Sequence, residues 1–409
     1  MQTHLADFIR DTPQGREADS ILRACVHCGF CNATCPTYQL LGDELDGPRG
    51  RIYLIKGMLE GAPVTRETQL HLDRCLTCRA CETTCPSGVQ YARLADIGRA
   101  VIEQRVSRPF AQRAWRWLLR RVLSKPRRFA LLLNAGRLLR PLLPTSLAAQ
   151  VPQARPAPVW PAARHSRRVL IAQGCVQPAL APDIDSAAAR VLDAIGISAQ
   201  PVNLGCCGAL SYHLNAQDEG LRTARAAIDR MCAALDAGAE AVVVSASGCA
   251  SFVADYAHLL HDDPAYAAKA ARVTAALRDL TALLSSERAA FDARLAASSA
   301  KPARIAFQSP CSFQHGLRNR GEVEKLLARA GYTCTPVADA HLCCGSAGTY
   351  SILQQELSKQ LRDNKLAALS AGNPERIATA NIGCLTHLAG SAQVPVDHWI
   401  ELIAERLGV

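Results

Sequence analysis

Apolar positions along the chain recur in two ways. Short unbroken runs appear after residue 168, at 169–172, 242–244, 305–307 and 377–378. Between them lie stretches with apolar residues at helical spacing, such as 184–195 and 322–327. Short apolar runs alternating with amphipathic segments predict βαβ units and small parallel sheets. Sites in such sheets form at the carboxyl ends of the strands. Each run leads into a cysteine: Cys175, Cys249, Cys311 and Cys384 are expected at strand ends.

The pattern repeats. Cys175 matches Cys311 at a distance of 136 residues, Cys206-Cys207-Gly208 matches Cys343-Cys344-Gly345 at 137, and Cys249 matches Cys384 at 135. Three agreeing offsets predict two homologous halves. Ahead of them, Trp115, Trp117, Leu118 and Leu119 alternate with Arg, and Pro109, Pro126, Pro141 and Pro144 punctuate two short helices. The Pro-rich stretch 152–161 reads as a linker. The expected organisation is a cysteine-bearing region at 1–100, a basic helical segment with linker at 101–168, one repeat at 169–260, an Ala-rich helical connection at 261–303 and a second repeat at 304–409.

Composition narrows the classes. The chain has 409 residues, 49% hydrophobic and 20% charged, so it is neither disordered nor membrane-embedded. Aromatics are 5%, while Ala and Leu abound, which favours helices. No apolar run approaches the roughly 18–20 residues of a membrane span; Leu131-Leu132-Leu133 is followed within a few residues by Arg. The net charge of +10 is uneven: from Gln104 to Pro182 there are fourteen Arg, one Lys and no acidic residue. That segment is read either as an interfacial helix on anionic lipid, a peripheral membrane contact, or as a helix docked on a partner. A lone basic stretch without a recognised fold argues against nucleic acid.

Eighteen cysteines change the picture. They cluster, and the N-terminus shows no signal-peptide pattern, so metal ligation in a reducing cytoplasm is expected rather than a disulfide scaffold. Cys25, Cys28, Cys31 and Cys35 precede Pro36; Cys75, Cys78, Cys81 and Cys85 precede Pro86. Each run is C-x2-C-x2-C-x3-C-P, the spacing of bacterial two-cluster ferredoxins. Three cysteines wrap one [4Fe–4S] cluster and the fourth reaches the other, so cluster one takes Cys25, Cys28, Cys31 and Cys85, and cluster two takes Cys75, Cys78, Cys81 and Cys35. Zinc sites usually pair two C-x2-C knuckles instead. Gly29 permits close backbone approach in the first loop, and Arg79 holds the matching place in the second. His27 and His71 are read as hydrogen-bonding or surface residues. Arg74 and Arg79 flank cluster two and favour its reduced form, with Glu82 opposing.

Eight further thiols remain: Cys175, Cys206, Cys207 and Cys249, then Cys311, Cys343, Cys344 and Cys384. They bind a further metal or cluster, act as redox dithiols, or are a structural remnant shaping a docking face. His213, His315, His341 and His387 lie near them in sequence; Cys232 and Cys334 read as core residues. The adjacent Cys-Cys-Gly pattern resembles the CCG domain of heterodisulfide reductases and related respiratory subunits. Repeats there end in C-x2-C, whereas this chain has Ala246 and Asn381 at the first position, leaving four thiols per repeat.

With Gly47-Pro48-Arg49-Gly50-Arg51 between the ferredoxin runs and two CCG repeats behind them, the whole chain resembles the iron–sulfur subunits of bacterial glycolate oxidases. Subunits of anaerobic glycerol-3-phosphate dehydrogenase share the architecture. The resemblance implies a helical two-[4Fe–4S] ferredoxin domain followed by two homologous α/β CCG domains, an α+β and α/β multidomain fold. It implies partner subunits that carry FAD and oxidise glycolate to glyoxylate. This chain then relays electrons to a membrane quinone-type acceptor, from the cytoplasmic face of the inner membrane. No catalytic residue is expected here, and no G-x-G-x-x-G, Walker loop or nucleophile elbow is present. The competing readings are a subunit of a related lactate or glycerol-3-phosphate dehydrogenase, or a thiol enzyme acting through the CCG cysteines.

Overall fold

The apolar runs become strands because each is buried on both faces. In this computed structural model, which describes residues 1–144, 148, 151–156, 158–298 and 303–409, eight strands form two parallel sheets. The first holds β1 (Arg167–Gln173), β2 (Ile197–Asn203), β3 (Ala241–Val243) and β4 (Leu277–Arg278) in the order β2-β1-β3-β4. The second holds β5 (Arg304–Gln308), β6 (Thr333–Cys334), β7 (Arg376–Thr379) and β8 (Val396–His398) in the order β6-β5-β7-β8. The topologies are identical. Each chain path runs outward on one side of the first strand, then crosses to the other, which opens a crevice at the carboxyl ends of β1 and β3, or of β5 and β7.

Along β1, Val169 and Ile171 point into one core while Leu170 and Ala172 point into another, the period of two of a pleated strand. The first of these cores is shared. It joins both sheets with the helices Pro182–Ala194 and Trp399–Leu407, and buries Trp399 fully. His398 and Glu401 close a capping box on the latter helix. The stretch 261–303 departs from the all-helical expectation: it contributes β4, whose Leu277 and Arg278 pair with Val242 and Val243, so it completes the first sheet. Its last part, 299–302, and Ala157 of the expected linker lie outside the described residues.

The N-terminal region packs the helices Pro13–Ala24, Pro48–Leu59, Arg66–Asp73 and Tyr91–Arg105 around their own core of Leu22, Ile55, Met58, Leu72 and Leu94. Residues 110–139 form a helical hairpin, Phe110–Leu123 and Pro126–Leu139. No residue of its second helix is buried, and Leu131, Leu132, Leu138 and Leu139 are exposed.

Candidate metal centres and their neighbours

The two N-terminal cysteine runs share more than spacing. His27 and Gly29 in the first, and Thr77 and Arg79 in the second, all adopt left-handed backbone at matching places. Such turns aim successive N–H groups inward. A Cβ at Gly29 would meet only the mobile end of the Arg49 side chain, so it is the φ of +86° that favours glycine in the first loop.

Cys25, Cys28 and Cys31 line one cavity together with Cys85. Cys75, Cys78 and Cys81 line a second together with Cys35. The fourth cysteine of each run has crossed, and Cys81 and Tyr91 touch both cavities. Crowding appears in the thiols themselves. Burial, then the neighbouring Cys25, Cys85 and Cys28, push Cys31 up to about 11. Burial pushes Cys78 and Cys81 well above the ordinary thiol value, Cys35 adding to both. Thiolates brought this close need a cationic, soft centre between them, and three from one run with the crossed fourth from the other is the donor set of a cubane cluster. The Tyr91 hydroxyl fits the same group: it is buried on the shared wall without a protein partner at ordinary hydrogen-bond geometry.

Two buried cations beside the second cavity escaped the sequence reading. Arg51, 1% exposed, donates to the His71 carbonyl at 2.7 Å and to Thr37 at 3.2 Å, and its Nη2 lies 3.3 Å from Asp46. Arg99 donates to the Cys75 carbonyl at 2.7 Å and to Thr77 Oγ1 at 2.9 Å. Burial raises the Cys75 thiol, but Arg51, Arg99 and the Thr77 N–H, 3.4 Å from its Sγ, bring it below the ordinary value. Nothing in the spacing signals that residues 16 and 24 positions from a ligand converge there. The expected pair is mostly compensated: Arg74 lies 2.7 Å from Asp46, and Arg79 is paired with Asp255. Glu82, raised by burial, accepts from the Ala92 N–H at 2.6 Å. His71 bonds Asp46 at 3.1 Å and His27 stacks on Tyr53.

In the repeats, each set of four thiols forms a row. Cys206 bridges Cys175 and Cys207, and Cys207 meets Cys249. In the second repeat Cys311 Sγ lies 3.8 Å from Cys343 Sγ, Cys343 meets Cys344, and Cys344 meets Cys384. The glycine after each pair is required. Gly208 and Gly345 have φ of +100° and +86°, a Cβ on either would lie 2.5 Å from a carbonyl oxygen, and each N–H donates at 3.4 Å to Cys206 or Cys343 Sγ. Cys249 and Cys384 are not at strand ends as expected. They stand in the first turn of the helices Ser247–Ala254 and Ile382–Ala389, where the helix N-terminus favours a thiolate. Among the described residues no three of these thiols converge within 4.8 Å, so the rows do not form a ready tetrahedral zinc site.

Ala246 and Asn381 fall on the seam between repeats. The Ser247 N–H donates to the Ala380 carbonyl at 3.2 Å, and Asn381 accepts from the Gly248 N–H at 3.3 Å while donating to Cys384 Sγ at 3.6 Å. The histidines are engaged elsewhere. His315 bonds the His341 carbonyl and Thr83 Oγ1, each at 2.9 Å, and burial lowers it to about 4. His387 bonds Ser358 at 3.2 Å; His213 faces Asp96 at 3.7 Å; burial lowers His341. Cys232 is buried in the first repeat and Cys334 half-buried on β6.

The second row touches the N-terminal region. Leu76 and Cys78 pack with Cys311, Cys343 and Tyr350 in one buried cluster. After burial, Cys311 is the largest influence raising Cys78, and Cys78 in turn acts on Cys343. No N-terminal cysteine is among the principal influences on Cys175, Cys206 or Cys207.

Known proteins carry the same arrangement. Residues 21–89 match the 4Fe–4S dicluster domain, and residues 169–254 and 305–389 each match the cysteine-rich domain named CCG. The chain is 54% identical, over all of its length and 99% of the relative's, to the glycolate oxidase iron–sulfur subunit of Escherichia coli (strain K12). The chain belongs to the glycolate oxidase iron–sulfur subunit family. A probable glycolate oxidase iron–sulfur subunit of Bacillus subtilis is 29% identical over 94% of both chains. Lactate utilization protein A of an Exiguobacterium species is 27% identical over 56% of this chain and 94% of its own. This glycolate oxidase-type subunit is an iron–sulfur electron-transfer protein. No helix among the described residues is long and apolar enough to cross a membrane.

Proposed function

We propose that this chain relays electrons within a glycolate oxidase, from FAD-bearing partner subunits that oxidise glycolate to glyoxylate, to a membrane quinone. The observation that carries the reading is the crossing of Cys85 and Cys35 into each other's cavities. It puts two donor sets of four on a common wall, close enough for electrons to pass. Cys25, Cys28, Cys31 and Cys85 hold the first cluster; Cys75, Cys78, Cys81 and Cys35 hold the second. When bound, the clusters take up and release single electrons. The chain's own part is to enclose them, to keep water out with Ile52 and Leu76, and to favour the reduced state through Arg51, Arg99 and the Tyr91 hydroxyl.

The thiol row of the second repeat, packed on Cys78, extends this relay if it carries a further cluster. The thiol-enzyme reading lacks support of this kind, because six of the eight row thiols are buried and Cys249 and Cys311 are half-buried. The hairpin 110–139 presents Leu131, Leu132, Leu138 and Leu139 beside Arg127, Arg128 and Lys125 to a partner face or an anionic bilayer. Flotation with anionic liposomes, abolished by Leu131→Asp with Leu138→Asp, tests the bilayer; no flotation assigns the face to a partner.

Iron and sulfide analysis with EPR on anaerobically purified protein tests the relay. Roughly eight irons are expected for two clusters, more if the repeats are loaded, and Cys85→Ala should remove about four. Iron-free protein that still supports its partners' turnover would overturn the reading.

A further inference from the structure

A cavity of about 1060 Å3 belongs to neither cluster nor thiol row. It opens at the seam between the N-terminal region and the first repeat. Arg79, placed between Cys78 and Cys81, lines this cavity and the second cysteine cavity alike, so one side chain separates the two spaces. Its guanidinium is held by Asp255 of the first repeat.

Three features of the walls are chemically specific. Tyr212 and Phe252 form an aromatic corner, with ring centroids 5.4 Å apart. Two histidine–carboxylate pairs span the seam: His258 Nε2 lies 3.1 Å from Glu17, and His213 Nδ1 lies 3.7 Å from Asp96. The volume is that of a site for a small organic molecule. Aromatic walls suit a planar ring, paired histidines suit proton delivery to oxygen, and the neighbouring centre supplies electrons one at a time. A quinone combines these needs, since its two-electron reduction consumes one proton at each carbonyl oxygen.

We propose that this seam cavity is the quinone-reduction site of the subunit, with Arg79 as the wall electrons cross and His258 and His213 as proton donors. The inference rests on the relay reading and locates its last step. Two electrons pass singly from the second cluster, which is oxidised, to the ring. Each carbonyl oxygen gains a proton as a histidine N–H bond breaks, giving the hydroquinone, and the histidines are reprotonated from solvent past Glu17 and Asp96. The hairpin leaves the body on this side: Arg120 lies 3.5 Å from Glu219, and Gln217, which lines the cavity, bonds the Asp96 carbonyl at 3.0 Å. The first helix of the hairpin therefore stands near the Gln217–Asp218 rim of the cavity.

The test uses the cluster-loaded full chain and decyl-ubiquinone. Ala100→Trp fills the cavity from the helix Tyr91–Arg105, and the exposed Gln104→Trp does so from the rim. Both should weaken decyl-ubiquinone binding at least tenfold, and should abolish the quinone-induced change in the second cluster's EPR line, with iron content unchanged. His258→Gln should bind within about twofold of wild type yet reoxidise its reduced clusters at least tenfold more slowly. Wild-type binding in both tryptophan variants, or an unchanged rate in His258→Gln, overturns the site. A partnered complex that passes electrons from glycolate to quinone at full rate with the cavity filled also overturns it, and leaves the relay standing; only iron-free active protein removes the relay itself.

Discussion

The two cysteine-rich repeats have the same strand order, the same row of four thiols and the same obligatory glycine, yet they face different neighbours. The second row packs on Cys78 through Leu76 and Tyr350. The first repeat meets the N-terminal region through polar contacts instead, Arg79 with Asp255 and Asn215 with Glu103 at 3.0 Å, around a wide cavity. Duplication supplied two equivalent crevices, and the docking of one helical domain made them inequivalent. An apolar contact leaves little room between Cys78 and the second row; a polar, open seam leaves space for a small molecule.

That contrast can be broken most directly at the thiols. Cys311→Ala should alter the EPR spectrum of the second cluster, whereas Cys175→Ala should leave it unchanged; equal effects would show that the repeats are electronically alike. Next in size is Leu76→Ala, which opens a hole in the second-repeat contact and should cost about 2–3 kcal/mol in chemical unfolding. The expected signature is that cluster two loses its protection from oxygen before cluster one does.

A smaller effect should follow at the joint between the repeats. Arg155 lies 2.7 Å from Asp183 of the first and 2.5 Å from Glu401 of the second. Burial, with the bond shared with Asp183, pushes the Glu401 carboxyl up to about 8. Folding therefore binds a proton there. This group's contribution is complete below the ordinary glutamate value near 4.3 and is lost as pH rises through about 8. Arg155→Ala should cost about 2 kcal/mol and make the melting temperature fall more steeply between pH 6 and 9 than in wild type; a parallel profile would dismiss the role. The smallest change is expected at Arg79, whose charge Asp255 already balances. Arg79→Gln should shift the second cluster's midpoint by under roughly 30 mV, while Arg99→Leu should lower it by about 59 mV or more, equivalent to 1.4 kcal/mol in a one-electron couple.

How much of this was legible depended on the range of the contact that mattered. The cysteine runs could be read because a tight loop around a cube of atoms needs fixed spacing between its thiols. The duplicated strands could be read from three agreeing offsets. β4 could not: two residues, Leu277 and Arg278, become a strand only because β3 offers an edge. Cys249 and Cys384 moved from strand end to first helical turn for a similar reason, since one or two positions separate those states and only the packed helix decides between them.

The amino-acid sequence by itself determined the local chemistry: eight thiols in ferredoxin spacing, two CCG turns that require glycine, and a basic stretch free of acidic residues, all set by contacts within a few residues. Tertiary structure alone decided which charges and surfaces meet. Arg51 and Arg99 beside the second cluster, Cys311 against Cys78, and the seam cavity behind Arg79 are made by groups 16 to more than 200 residues apart. Their encounter follows from how buried surfaces of separate domains fit together, which no local spacing encodes.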